Sequence, residues 1–485
     1  MATGNRLAPT EAVVTTGYAP TIGLEVHVQL ATRTKMFSPT AYAPGAQPNS
    51  IVHAIDLGLP GTLPSPNATA IRLAVRAAFA LEGSVQTHSR FARKHYFYPD
   101  MPKGYQITQY ERPFCLGGRV PLGDGRFCAL QRIHMEEDAG KLVHTDAGTL
   151  VDLDRAGAPL VEIVTEPQIR SAEDAHAFLV SLREILRYAA VSDCDMELGT
   201  MRCDANISVA VPGAPLGVKV EVKNLNSFKM VQRAIDYEIR RQTATLAAGL
   251  RIVQETRLWN DEKGETRSMR SKEQAEDYRY FPDPDLPQLA LDEALMADER
   301  NAVGELPLAR RARYAAQFSL PSHDVEALTQ DKTTGDWFER AVRCGAEPKA
   351  VSNWIMAELS KAARDRGTSL DGLPVTPQRL AELIASVTSG QLTATTARQA
   401  FLHMLEHDVD TRTAITALGL SRIDSDATLQ PFVERAITDL PAAASDVRSG
   451  KRKALDALKG HVMRATKGKA DPQALESLLL RSLLG

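Results

Sequence analysis

A chain of 485 residues is too long for one hydrophobic core, and at roughly 150 residues per domain it is expected to divide into about three. Its 44% hydrophobic and 24% charged residues are those of an ordinary soluble globular protein. The formal net charge of -3 excludes a chain that attracts nucleic acid as a whole, so any RNA-binding surface has to be local.

Residues 1–20, rich in Ala, Thr and Pro, show neither a signal-peptide core nor an Arg-rich transit pattern and read as a loose extension. From Thr21 to Pro287 short alternating strands predominate, and the first is clear. In Ile22-Gly23-Leu24-Glu25-Val26-His27-Val28-Gln29-Leu30 strict alternation buries one face and presents Glu25, His27 and Gln29 on the other. Next comes Lys94-His95-Tyr96-Phe97-Tyr98-Pro99-Asp100-Met101-Pro102-Lys103-Gly104-Tyr105-Gln106, an aromatic, proline-stiffened loop suited to stacking a base and neutralising phosphate, or equally to anchoring aromatics in a core. His134-Met135-Glu136-Glu137-Asp138-Ala139-Gly140-Lys141 sets three acids in succession, which repel one another unless water, a cation or basic residues offset them. Two more strands repeat the mixed polar face: Arg202, Asp204, Asn206 and Ser208 in one, Lys219, Glu221 and Lys223, alternating with Val218, Val220 and Val222, in the other. An antiparallel sheet with one wet face produces such alternation by itself, but here the wet face combines carboxylates with His and basic residues rather than Thr, Gln and Ser. Carboxylates with one imidazole and no thiolate suit a hard cation holding several waters, which favours magnesium over zinc.

Prolines at 282, 284 and 287 end the strand-rich part, and a first boundary is placed there, with domains expected at 21–290, 291–408 and 409–485. Beyond it the pattern is helical. Thr376-Pro377 reads as an N-cap and first helical residue before Leu380, Leu383, Ile384 and Val387, and Asp471-Pro472 repeats the device before Leu475, Leu478, Leu479 and Leu483. Between these helices Lys451, Arg452, Lys453, Lys459, Arg464, Lys467 and Lys469 crowd 20 residues against one acid, Asp456, with Gly450, Gly460 and Gly468 expected to break helices and let backbone approach RNA.

Two absences narrow the chemistry. No GxxxxGKS/T or GxGxxG motif offers a phosphate loop, and no GxSxG, amidase-type Ser-Ser-Lys segment or activated Cys/His pair offers a nucleophile for releasing ammonia from glutamine. The five cysteines, odd in number and without a CxxC pair, argue against disulfides and a zinc knot and suggest a reducing, cytoplasmic setting. No apolar run reaches the roughly 20 residues of a membrane span, so no membrane association is expected.

Ile22-Gly23-Leu24-Glu25-Val26-His27, Tyr96-Phe97-Tyr98-Pro99-Asp100, His134 to Lys141, Arg202-Cys203-Asp204-Ala205-Asn206-Ile207-Ser208, Glu221-Val222-Lys223-Asn224-Leu225-Asn226-Ser227 and Asp277-Tyr278-Arg279-Tyr280-Phe281-Pro282 occur in order over more than half the chain. In these segments the sequence resembles the B subunit of the tRNA-dependent glutamyl/aspartyl amidotransferases. The resemblance implies an α+β fold: a mixed β-sheet cradle with flanking helices, an all-α domain and an all-α, YqeY-like tail that engages tRNA. It implies a heterotrimer completed by a glutaminase, the A subunit, and by a small C subunit. In it this chain uses ATP and Mg2+ to phosphorylate the side-chain carboxylate of Glu-tRNA(Gln) or Asp-tRNA(Asn) before ammonia displaces phosphate. By carry-over, Glu25, His27, Glu137 and Glu221 surround magnesium with Glu136 and Asp204 close by; Lys94 and Tyr96 face the nucleotide or acceptor end, and Arg202, Asn206 and Lys223 assist binding. Some relatives carry a four-cysteine zinc cluster; Cys115 and Cys128 cannot form one, so no zinc is expected. Two other readings fit the polar faces or the basic tail: a magnesium-dependent phosphohydrolase or nuclease, and a non-catalytic tRNA-binding scaffold.

Overall fold

The computed structural model describes residues 17–43, 45–271, 278–420, 423 and 425–484. Most of the expected N-terminal extension and Asp277 lie outside the described residues. The chain divides into two compact units, Met1–Pro307 and Leu308–Gly485. Among the described residues no helix is long and apolar enough to cross a membrane.

The first unit is organised around the Ala19–Gln29 strand. Its alternation holds as the sequence requires, with Ile22, Leu24, Val26 and Val28 fully buried and Glu25 and His27 on the opposite face. The strand pairs antiparallel with Pro159–Thr165 on one side and Met201–Ala210 on the other; Arg126–Glu137 continues the sheet beyond the former, Val220–Leu225 beyond the latter. The Val220–Leu225 strand runs parallel to Glu255–Asn260, so the ten-stranded sheet is mixed. Helices Ala68–Ala80, Ala172–Tyr188 and Phe228–Ala247 cover its apolar face, contributing Ala74, Phe178, Leu182 and Ile235 to one core with the strand residues. Asn67, Ser171 and Ser227 cap these helices by accepting the amides of Ala70, Asp174 and Met230, each cap worth about 1 kcal/mol. Covering one face leaves the other to water and to chemistry.

One strand begins later than expected. Val218 and Lys219 are exposed, and pairing starts only at Val220, because the loop after Ala210 carries the chain past the sheet edge first. Gly217 passes so near Val209 that a Cβ would stand 2.3 Å from its carbonyl oxygen.

A small three-stranded sheet, Phe281–Pro282, Ala92–His95 and Tyr105–Thr108, forms the hairpin whose loop is the aromatic Tyr96–Gly104 segment. It is tied to the main sheet where the Ile107 amide donates to Glu137 Oε1 at 2.9 Å. After the last strands, helix Glu293–Ala302 packs back on Ala68–Ala80, and buried Glu299 accepts from Arg72 at 2.5 Å and Arg76 at 2.8 Å. The first core therefore runs on to Val303.

The second unit is helical among its described residues and holds two cores. One gathers Tyr314, Trp337, Phe338, Leu380 and Phe401 and extends to Ala414, Ile415 and Leu420; the other runs from Leu429 to Leu483. Both expected helix starts are present: Thr376 accepts the Arg379 amide ahead of buried Leu380, Leu383 and Ile384, and Asp471 accepts the Ala474 amide at 2.6 Å ahead of buried Leu475, Leu478, Leu479 and Leu483.

Candidate functional site

Register decides which side chains share the wet face. His27 lies opposite Glu162 on one neighbouring strand and Arg202 on the other, Glu25 lies opposite Asp204, and Glu162 in turn lies opposite His134. Side chains at paired positions stand on the same face, so four strands bring one histidine-carboxylate group together at the sheet centre. His27 Nε2 is 3.3 Å from Glu136 Oε1 and 3.6 Å from Glu162 Oε2; His134 Nε2 is 3.0 Å from Glu162 Oε2 and 3.8 Å from Glu136 Oε2. Among the described residues, His27, Glu136 and Glu162 are the one group of three His, Cys, Asp or Glu whose donor atoms all lie within 4.8 Å of one another.

The charges respond to this crowding. Burial alone would lower the pKa of His27, but Glu162 and Glu136 outweigh it and raise it to about 9, so the ring is protonated at neutral pH. Burial opposes the ionised form of Glu162 too, yet His134, His27 and Lys94 hold it well below the usual carboxylate range. Lys94 is pushed up, Glu136 overcoming the effect of burial, and its Nζ stands 4.6 Å over the ring of Tyr278.

A second group continues along the same face. Lys223 Nζ bridges Asp204 at 2.6 Å and Glu221 at 3.0 Å; Asn206 donates to Glu25 Oε1 at 2.8 Å, and Thr256 to Glu221 Oε2 at 2.8 Å. Glu25 is raised, by burial first and then by Glu162, Glu221 and Asp204. At the other edge Arg202 donates to Asp138 at 2.7 Å, with Arg155 3.5 Å from the same oxygen. The face thus grades from acidic at Glu25, Asp204 and Glu221 to basic at Arg202 and Arg155.

A family model described as the GatB/GatE catalytic domain matches residues 20–297, and one described as the GatB domain matches residues 336–483. The chain is 42% identical over 471 residues to the B subunit of an aspartyl/glutamyl-tRNA(Asn/Gln) amidotransferase of Thermoanaerobacter pseudethanolicus, covering 96% of this chain and 99% of that one. Its counterpart in Caldanaerobacter subterraneus subsp. tengcongensis is 44% identical over 472 residues, with the same coverage, and that of Staphylococcus epidermidis 44% over 466 residues, covering 95% of this chain and 98% of its own. The chain belongs to the amidotransferase B-subunit family.

Within this B-subunit chain, the structure separates two residues that adjoin in sequence. Glu136 faces the histidines, whereas Glu137, one residue on and so turned to the other side, closes against Lys103 and the Ile107 amide and is outside the compact trio. The expected set of Glu25, His27, Glu137 and Glu221 is therefore not drawn together as a unit: Glu137 anchors the hairpin, and Glu25 and Glu221 sit in the neighbouring group with Asp204. Tyr96 stacks on Tyr98 with ring centroids 5.9 Å apart in the hairpin loop, next to the strand that carries Lys94.

Glu162 and His134 complete the trio's surroundings and escaped the sequence reading as site residues. A signal was present in Pro159-Leu-Val-Glu162-Ile-Val-Thr165, where one acid interrupts an apolar strand. Cys115 and Cys128 are buried in the first core, and burial pushes their thiols up to about 12 and about 11.

In the tail, Arg452, Lys453, Arg464 and Lys467 are exposed, while Lys451 pairs with Asp446 at 3.0 Å and half-buried Lys459 with Glu476 at 2.6 Å. Gly450 (φ 92°) and Gly468 (φ 78°) interrupt the helices, but Gly460 lies inside Leu455–Ala465. Gly468 is buried with its carbonyl accepting from Thr393 at 2.7 Å, and a Cβ there would stand 2.7 Å from Thr395 Cγ2. Its backbone approaches a helix rather than a ligand.

Proposed function

We propose that this chain phosphorylates, with ATP, the side-chain carboxylate of misacylated Glu-tRNA(Gln), Asp-tRNA(Asn) or both. Ammonia from the glutaminase partner then displaces phosphate to give Gln-tRNA(Gln) or Asn-tRNA(Asn). The supporting observation is the His27, Glu136 and Glu162 trio on the open face of the sheet in a chain that belongs to the B-subunit family. As one part of a ligase it acts with others; a glutaminase A subunit and a small C subunit are the proposed partners.

The trio's chemistry fits magnesium. Two carboxylates and an imidazole converge without a thiolate, and the charge they accumulate is balanced by a proton on His27, which a divalent cation would replace. A magnesium ion held there would supply charge stabilisation to a transferring phosphoryl group. His27, Glu136 and Glu162 would hold it, with Glu25, Asp204 and Glu221 alongside for a second site or its waters. Lys94 is coupled electrostatically to Glu136 and Glu162 and would offset phosphate charge; Arg202, with more donors than Asp138 uses, would take an anionic substrate group. Asn206 and Lys223 hold Glu25 and Asp204 in place. No zinc is proposed, since the buried thiols of Cys115 and Cys128 are disfavoured as thiolates.

Exposed Arg452, Lys453, Arg464 and Lys467 form the proposed tRNA phosphate contact. We divide the chain by its cores, into a catalytic domain to Val303, a helical domain from Leu308 to Leu420 and a tail from Ser425. The deciding experiment combines the chain with its partners, ATP, glutamine and each misacylated tRNA, and identifies the amino acid released from the product tRNA. Unchanged Glu or Asp on both would refute the reading.

A further inference from the structure

The hairpin carries a feature that the phosphoryl-transfer reading does not use. Tyr110 and Tyr280 lie ring on ring, with centroids 4.1 Å apart and planes 6° from parallel, and Tyr110 remains 52% exposed. They line a small half-open cleft of about 80 Å³ with Phe281 and with exposed Arg90, Glu111 and Arg112. Neither guanidinium nor the Glu111 carboxylate has a side-chain partner among the described residues. The open face of the Tyr110 ring, backed by Tyr280, offers a flat surface to a third ring, the two guanidiniums offer charge to a phosphate, and the carboxylate accepts from a ribose hydroxyl or an exocyclic amine.

The position gives the cleft its meaning. Tyr280 precedes the strand that pairs with Ala92–His95, and Lys94 of that strand acts electrostatically on Tyr280 and Tyr278 as well as on Glu136 and Glu162. The cleft therefore adjoins the strand whose Lys94 is coupled to the carboxylate trio.

We propose that the Tyr110/Tyr280 cleft seats the base of an adenosine nucleotide, with Arg90 and Arg112 on its phosphates. This rests on the proposed function, which supplies two sources of that chemistry: ATP and the 3′-terminal adenosine of the aminoacyl-tRNA.

The test uses the assembled multi-subunit enzyme with Tyr110→Leu, Tyr110→Phe and Arg112→Ala, all at exposed positions where folding is insensitive. Two readouts are taken: quenching of 2-aminopurine riboside triphosphate on binding, and the KM for ATP and for misacylated tRNA measured separately. Loss of one base stack corresponds to a weakening of about tenfold or more, restored by Phe. A rise in the nucleotide dissociation constant and ATP KM alone assigns the cleft to ATP; a rise in tRNA KM alone, with nucleotide quenching intact, assigns it to the tRNA end. If Tyr110→Leu and Arg112→Ala leave quenching and both KM values at wild-type levels in an enzyme that amidates tRNA, the proposal is overturned while the proposed function stands. A wild-type enzyme that fails to amidate at all overturns the function instead.

Discussion

Replacing Glu162 by Gln removes one charge from the trio and almost nothing else. The amide keeps the side-chain length and can still accept from His134 at 3.0 Å, so the apolar packing of Pro159–Thr165 is untouched. A unit charge about 4 Å from a cation interacts by about 4 kcal/mol at the effective dielectric of about 20 appropriate to such sites. Glu162 is 14% exposed and Glu136 remains, so roughly half of that is the more realistic loss. At 1.36 kcal/mol per decade, tRNA-stimulated ATP cleavage should fall between about 30-fold and about 1,000-fold, with half-saturation by magnesium moving to higher concentration. The assay is ATP cleavage with saturating misacylated tRNA across a magnesium titration, beside a thermal melt of the same preparation. Wild-type rates at wild-type magnesium requirement would refute the assignment of Glu162 to the reacting face. A lost rate with a collapsed melt would show that its role is structural.

His27→Ala and Glu137→Ala should each abolish tRNA-dependent ATP cleavage and amide formation while glutamine hydrolysis by the glutaminase partner persists. They should differ in stability. Glu137→Ala strands Lys103, only 6% exposed, and should cost about 3 kcal/mol in a denaturant titration, whereas His27→Ala should not. Replacing Arg452, Lys453, Arg464 and Lys467 together by Ala should weaken tRNA binding and flatten its salt dependence, measured by filter binding at several salt concentrations; Lys459→Ala, whose ammonium is already paired with Glu476, should do neither. Asp324 is fully buried; burial raises its pKa, but the bonds from Lys349 and Ser352, each 2.6 Å, lower it further, so the folded value lies below the usual 3.8. Its stabilisation is complete above that value and is lost as pH falls through the folded value. Tryptophan fluorescence should therefore show acid unfolding of the helical unit below about pH 4 that is shallower in Asp324→Asn.

The sheet's polar face was readable from the sequence where a local rule applies. Period-two burial in Ile22 to Leu30 and in Met201 to Ala210 needs only one buried side, and both strands follow it. What pairs with them is not local. Glu162 joins His27 through a strand register fixed 135 residues away, and Pro159–Thr165 looks like a fully buried strand because its other residues are apolar on both faces. The placing of Glu137 is of a different kind. Two adjacent acids in a strand cannot face the same way, so alternation says that one of them leaves the site, but only the hairpin's Ile107 amide and Lys103 say which. Gly468 similarly reads as a free turn until Thr393 and Thr395, more than 70 residues earlier, are brought against it.

Because Glu136 and Glu137 are consecutive, the hairpin and the carboxylate trio share one anchor. The 92–108 hairpin is bolted to Glu137, and a single peptide plane, which twists only at high cost, passes to the residue that touches His27. Lys94 therefore travels on the same support as the carboxylates it faces. The aromatic loop and the trio therefore hang from adjacent residues of one strand, so a substitution that loosens Glu137 disturbs the base of both.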